Sequence, residues 1–129
     1  MQKTKFINCA HCSNLAEMIY DTDIPLKCCG DEMKQLVPGS VKASGEKHTP
    51  VVKVAGNIVE VNVGDIHHPM EEDHWIEWVQ LVTDQGSYRK WLRPGQKPSV
   101  QFLLVEEKAL EVYAYCNLHG LWKTELNEK

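Results

Sequence analysis

Apolar and polar residues alternate in short runs along this chain, and turn residues break the runs at close intervals. Val51 to Ala55 and Ile58 to Val63 flank Gly56-Asn57, a pair that suits a two-residue hairpin turn because glycine supplies the positive φ of the primed geometry. Ile76 to Thr83 and Tyr88 to Leu92 flank Asp84-Gln85-Gly86-Ser87, and further strands fit Val100 to Val105, Glu111 to Tyr115 and Leu121 to Leu126. With one short strand near Val41, the pattern predicts an all-β, antiparallel sandwich. The stretch Met70 to Leu81 has one helical trait, His74 and Trp78 standing four apart, but its density of Trp, Ile and Val followed by a turn signal favours a strand.

The start of the chain reads differently. Lys5 to Asn8, Leu15 to Ile19 and Leu26 into Cys28-Cys29-Gly30 suggest short strands joined by tight turns, with too few large apolar residues for a core of their own. A bound metal would have to supply the missing stability. Val37-Pro38-Gly39-Ser40 interrupts the pattern, so the expected domains are residues 1–37 and residues 38–129.

Composition narrows the function classes. The formal net charge of −4 leaves no basic stripe for a phosphate backbone, so nucleic acid is not an expected partner. No run approaches the roughly 18 apolar residues of a membrane span, and the opening Met-Gln-Lys-Thr-Lys-Phe lacks the apolar stretch of a signal peptide. A cytoplasmic location without membrane attachment is the expectation. The 5 cysteines are an odd number for pairing within one chain, and a reducing compartment would keep them as thiols, so metal thiolates are preferred to disulfides.

The candidate ligands fall into two sets that share no residue. Cys9, Cys12, Cys28 and Cys29 combine a C-x2-C turn with an adjacent pair; four thiolates suit either zinc or iron. Neighbouring side chains on an extended chain point to opposite faces, so the backbone must bend at Cys28-Cys29, and Gly30 permits that. His11, inside the C-x2-C loop, is read as exposed and not as a ligand. The second set is Cys116-Asn117-Leu118-His119, following a strand on which Val112, Ala114 and Cys116 share a face, together with His48, His68 and His74. Spacing does not decide between His67 and His68. Four imidazoles and one thiolate exceed the usual zinc complement and argue for a redox metal with an open position.

At these residues the chain resembles desulfoferrodoxin, the two-iron class of superoxide reductase. The cysteine set matches a desulforedoxin-like centre, while Glu46-Lys47-His48-x-Pro50, His68-Pro69-Met70, Glu72-x-His74-x-Ile76-Glu77-Trp78 and Cys116-Asn117-x-His119-Gly120 match the catalytic domain. The resemblance implies a small metal-stapled domain followed by an immunoglobulin-like sandwich. It further implies two non-haem irons per chain. One would be held by Cys9, Cys12, Cys28 and Cys29, where zinc could substitute. The other would take His48, His68, His74 and His119 as an equatorial plane and Cys116 as the axial thiolate, which selects His68 over His67. The implied activity is one-electron reduction of superoxide to hydrogen peroxide without release of dioxygen, with electrons from rubredoxin or another cytosolic donor, in a homodimer. Lys47 would attract the anion and orient a protonating water, and Glu46 would ligate the oxidised metal once product has left. The competing reading is a non-catalytic zinc- or iron-binding module or a rubredoxin-like electron carrier. A visible spectrum separates iron from zinc.

Overall fold

A computed structural model describes residues 3–41, 43, 45–64 and 67–126; the Glu46 side chain lies outside the described part. The chain divides into two units, Met1–Val37 and Pro38–Lys129. The first is built from β1 (Phe6–Asn8), β2 (Leu15–Glu17), β3 (Lys27–Cys28), β4 (Asp31–Glu32) and β5 (Lys34–Gln35). β1 is the centre of a three-stranded sheet between β2 and β5, and β3 pairs with β4 as a separate ribbon. Strands this short gain little from their own hydrogen bonds. Phe6, Ile7 and Cys9 are the buried apolar side chains among the described residues of this unit.

The second unit opens with a single helical turn, α1 (Gly45–His48), closed by the Thr49 N–H donating to the Gly45 carbonyl at 2.9 Å. It continues through β6 (Pro50–Ala55), β7 (Ile58–Val63), β8 (Ile76–Thr83), β9 (Ser87–Trp91), β10 (Ser99–Leu103), β11 (Ala109–Cys116) and β12 (Gly120–Glu125). One sheet has the order β10-β7-β6 and the other β12-β11-β8-β9, with every pairing antiparallel. This is the sandwich the alternation predicts. The inward residues Val59, Val61 and Val63 of β7, Ile76, Val79 and Leu81 of β8, Val100 and Phe102 of β10, and Val112, Ala114 and Cys116 of β11 form one apolar cluster. Burial of that alternating set, at roughly 25 cal/mol per Å² of apolar surface, holds the sheets together.

One expectation is corrected. No strand forms at Val41: the residue sits in a bend and is exposed, and Gly39 before it has φ +71°. A lone valine among Ser, Lys, Ala and Gly offers no alternating face to pair, so a sheet gains nothing there. Within Met70 to Leu81 the strand favoured over a helix does form, but only from Ile76 onward. Glu71 and His74 close a tight turn by mutual backbone hydrogen bonds of 2.8 and 3.1 Å, and β8 starts two residues later.

Candidate metal centres

In the first unit the four cysteine sulfurs lie within 4.8 Å of one another. The Cys12 and Cys28 sulfurs are 3.7 Å apart and those of Cys28 and Cys29 3.9 Å. Four sulfurs about 2.3 Å from one tetrahedral ion would stand about 3.8 Å apart, whereas a disulfide needs about 2.05 Å. The spacing therefore fits a metal. The bend at the adjacent pair is made by Cys29 itself, at φ +51°, followed by Gly30 at φ +82°. Two successive left-handed residues turn both thiols to the same side, and Cys29 carries the less usual conformation.

The surroundings are arranged for thiolates. The His11 N–H donates to the Cys9 sulfur at 3.4 Å and the Asn14 carboxamide to the Cys28 sulfur at 3.4 Å. The His11 N–H is the main reason the Cys9 thiol is lowered to about 6. Cys29 is pushed up to about 12, chiefly by its sulfur neighbours Cys9, Cys12 and Cys28. Four thiols at one point cannot all ionise unless a cation sits between them. The His11 ring is exposed and paired with the Asp31 carboxylate, not turned into the cluster.

In the second unit His48, His68, His74 and Cys116 each present a ligand atom within 4.8 Å of the others. His48 closes the helical turn, His68 follows β7, His74 closes the turn before β8, and Cys116 ends β11. His119 comes from the hairpin loop between β11 and β12, with its Nδ1 3.1 Å from His48 Nε2 and 4.0 Å from the Cys116 sulfur. Two nitrogens bound at right angles to one ion at about 2.1 Å would be about 3.0 Å apart, so the His48 to His119 spacing fits shared ligation. His67 is exposed, and His68 is the member of the pair that enters the cluster.

The strongest sign is a pair of orphaned atoms. His68 Nε2 and His74 Nε2 are buried with no hydrogen-bond partner. His68 Nδ1 lies 2.6 Å from the Pro69 carbonyl, a bond in which the ring N–H donates and leaves the Nε2 lone pair free for a metal. Burial lowers His68 to about 4, so the imidazole stays neutral. Burial also lowers His74, with the charges of His119 and Lys47 adding to the effect. Burial pushes the Cys116 thiol up, while the N–H groups of His119 and Leu118 pull it down. A thiolate there needs a cation beside it. The donor set thus suits a metal in both units.

Two residues shape this second site without a role assigned from sequence. Trp122 stacks on the His48 ring, with centroids 4.8 Å apart, and its indole N–H donates to the His119 carbonyl at 3.1 Å. Asn117 bonds to the backbone on either side of His74. Sequence marks the first only as a strand aromatic, and the second as a member of the Cys116-Asn117-x-His119-Gly120 motif with no task attached. Lys47 is exposed on the helical turn.

The chain is similar to proteins of one family. The family profile described as Desulfoferrodoxin matches residues 40–125. A desulfoferrodoxin of Nitratidesulfovibrio vulgaris is 44% identical over 117 residues, covering 91% of this chain and 92% of the relative. The crystal structure of the superoxide reductase from Treponema pallidum superposes with a TM-score of 0.79 at 35% identity, covering 96% of this chain and 100% of that one. A superoxide reductase from Giardia intestinalis gives 0.55 at 32% identity, covering 64% of this chain and 99% of its own.

Proposed function

The chain belongs to the desulfoferrodoxin family, and from that premise we propose that it is a two-iron superoxide reductase, with the sulfur centre in residues 1–37 and the catalytic centre in residues 38–129. Cys9, Cys12, Cys28 and Cys29 are assigned to the first iron. His48, His68, His74, His119 and Cys116 are assigned to the second. The observation that carries the reading is the convergence of His48, His68 and His74 on the Cys116 thiol, with His119 beside His48 and that sulfur and the buried Nε2 atoms of His68 and His74 left without protein partners.

Iron in the second site would supply the single electron that, with two protons, converts superoxide to hydrogen peroxide. The residues around it have separate tasks. Pro69 fixes the His68 tautomer, and the buried rings of His48 and His68 keep water from the inner side. His74 and His119 are half-buried where His48 and His68 are buried, and entry of a small anion is assigned to their side. Lys47 is exposed and near enough to influence His74, which suits it to attract superoxide and hold a protonating water. Glu46 is assigned by its motif to closing the site after peroxide leaves. We further propose a cytoplasmic homodimer reduced by rubredoxin or another cytosolic donor. No helix among the described residues is long and apolar enough to cross a membrane.

An oxygen electrode tests the activity. Reduced protein given superoxide should yield peroxide with no dioxygen, whereas a dismutase returns about half its substrate as dioxygen, by the stoichiometry of pairing one oxidation with one reduction. Substantial oxygen release sinks the reductase reading.

A further inference from the structure

His74 stands where regular structure cannot fix it, between the Glu71 turn and the first residue of β8. Its own N–H and carbonyl are both engaged by Glu71, at 3.1 and 2.8 Å. The peptide groups on either side belong to Asn117. The Asn117 Oδ1 accepts the Trp75 N–H at 2.9 Å, its Nδ2 donates to the Asp73 carbonyl at 3.0 Å, and its backbone N–H donates to the Trp75 carbonyl at 3.3 Å. Every backbone polar group from the Asp73 carbonyl to the Trp75 carbonyl is therefore held by Glu71 or Asn117. Asn117 in turn follows Cys116 directly and shares its hairpin loop with His119.

We propose that Asn117 is the positioning residue for His74: its carboxamide grips the peptide before and after that histidine and sets the imidazole's direction against the Cys116 thiolate. The proposal rests on the reading of His74 as a metal ligand. Side-chain chemistry explains why an amide stands here. The site must donate to one carbonyl and accept from one N–H two residues further along. An ionised carboxylate only accepts, and an apolar side chain does neither. Because the same residue is peptide-bonded to the thiolate ligand, a displacement of the β11–β12 loop would move Cys116, His119 and His74 together. A ligand from a loop thereby gains the precision of the strands.

The test uses the iron-loaded protein and its Asn117→Ala and Asn117→Asp variants. Three quantities are read: the rate at which a ferrous chelator withdraws iron from the second site, the ferric visible spectrum of that site, and its reduction potential. Loss of an outer partner of a metal ligand typically costs 10–100-fold in metal affinity. Asn117→Ala should accordingly release the second iron about 10–100-fold faster, with a shifted ferric band, while the sulfur-centre spectrum stays as in wild type. Asn117→Asp keeps the acceptor and loses the donor, so its release rate should fall between the two. A purely structural role would lower the melting temperature and leave release, spectrum and potential of the folded protein unchanged; that result overturns the proposal. If Asn117→Ala does not fold, Asn117→Asp decides alone, and wild-type release from it is equally fatal. Chelator release needs no superoxide, so a wild-type protein that evolved dioxygen would refute the reductase reading and leave the clamp standing.

Discussion

The two units hold their candidate metals in opposite ways. In residues 1–37 one ligand, Cys9, is among the few buried side chains, the strands run two or three residues, and Ile19, Tyr20 and Ile24 are exposed. In residues 38–129 a continuous core made mostly of Val, Ile, Leu and Phe reaches the site through Cys116, while the histidines lie at the end of α1 and in the turns that follow β7 and β11 or precede β8. The first metal would stand in for a core. The second would be a guest of a core that already exists. The difference predicts that stability follows metal in one unit and apolar packing in the other.

Removing the first metal is the most severe way to probe that contrast. Structural zinc in small finger peptides contributes about 10–16 kcal/mol, more than a unit of this size can supply by packing. Cys12→Ser should abolish the colour of the sulfur centre and leave amides of residues 3–37 unprotected against hydrogen exchange. The second centre should still oxidise and reduce. Preserved protection in the first unit would show that it has a core of its own, and loss of both signals would show that the sites are not separate.

The reciprocal experiment attacks the sandwich. Leu81 is fully buried in the apolar cluster, and Leu→Ala at such positions costs about 2–5 kcal/mol. Two optical probes separate the units, because Trp75, Trp78, Trp91 and Trp122 all lie beyond Pro38 and the sulfur centre before it. In denaturant the Leu81→Ala tryptophan transition should move to lower concentration while the visible transition stays in place. Coincident movement of both would mean that the units unfold as one.

How much of this was legible in the sequence follows the same division. The sandwich strands were readable because a side chain period of two leaves a direct trace wherever one face is buried, as at Val112, Ala114 and Cys116. The strand expected near Val41 failed because a single apolar residue has no period. The ligand types were readable from chemistry, and the choice of His68 over His67 came from family resemblance; in the fold it corresponds to a buried ring against an exposed one. The supports around the ligands were not readable. The bonds from Asn117 to residues 73 and 75 and the stacking of Trp122 on His48 join positions more than 40 apart in sequence, and nothing local announces them.

A smaller effect concerns charge at the mouth of the second site. Lys47→Ala removes a positive group from the path of an anion and should lower the second-order rate with superoxide by about tenfold at low salt, the lower end of electrostatic steering. Added salt should then slow the variant less than wild type, since screening has less attraction to suppress. Iron content should not change. Stopped-flow rates at two ionic strengths decide the matter, and a wild-type rate at low salt removes Lys47 from the steering role.

The smallest predicted effect tests how far the protein alone fixes the second site. Trp122 supports it twice, by stacking on His48 and by donating its indole N–H to the His119 carbonyl at 3.1 Å. Trp122→Phe keeps an aromatic face and loses the donor, leaving a partly buried carbonyl without that bond at a cost of about 1 kcal/mol. If the sandwich holds its ligands in place before metal arrives, that cost should appear in the metal-free protein as a slightly earlier melting transition. Iron release should rise by well under tenfold, because the stacking partner remains. Trp122→Ala removes both supports and should show a clearly faster release than Trp122→Phe. If the two variants released iron at the same rate, the ring would contribute nothing to the site beyond its hydrogen bond. If Trp122→Phe matched Trp122→Ala in releasing iron many-fold faster, the histidines would depend on that one donor for their placement, and the second site would be less a guest of a finished core than the contrast between the units requires.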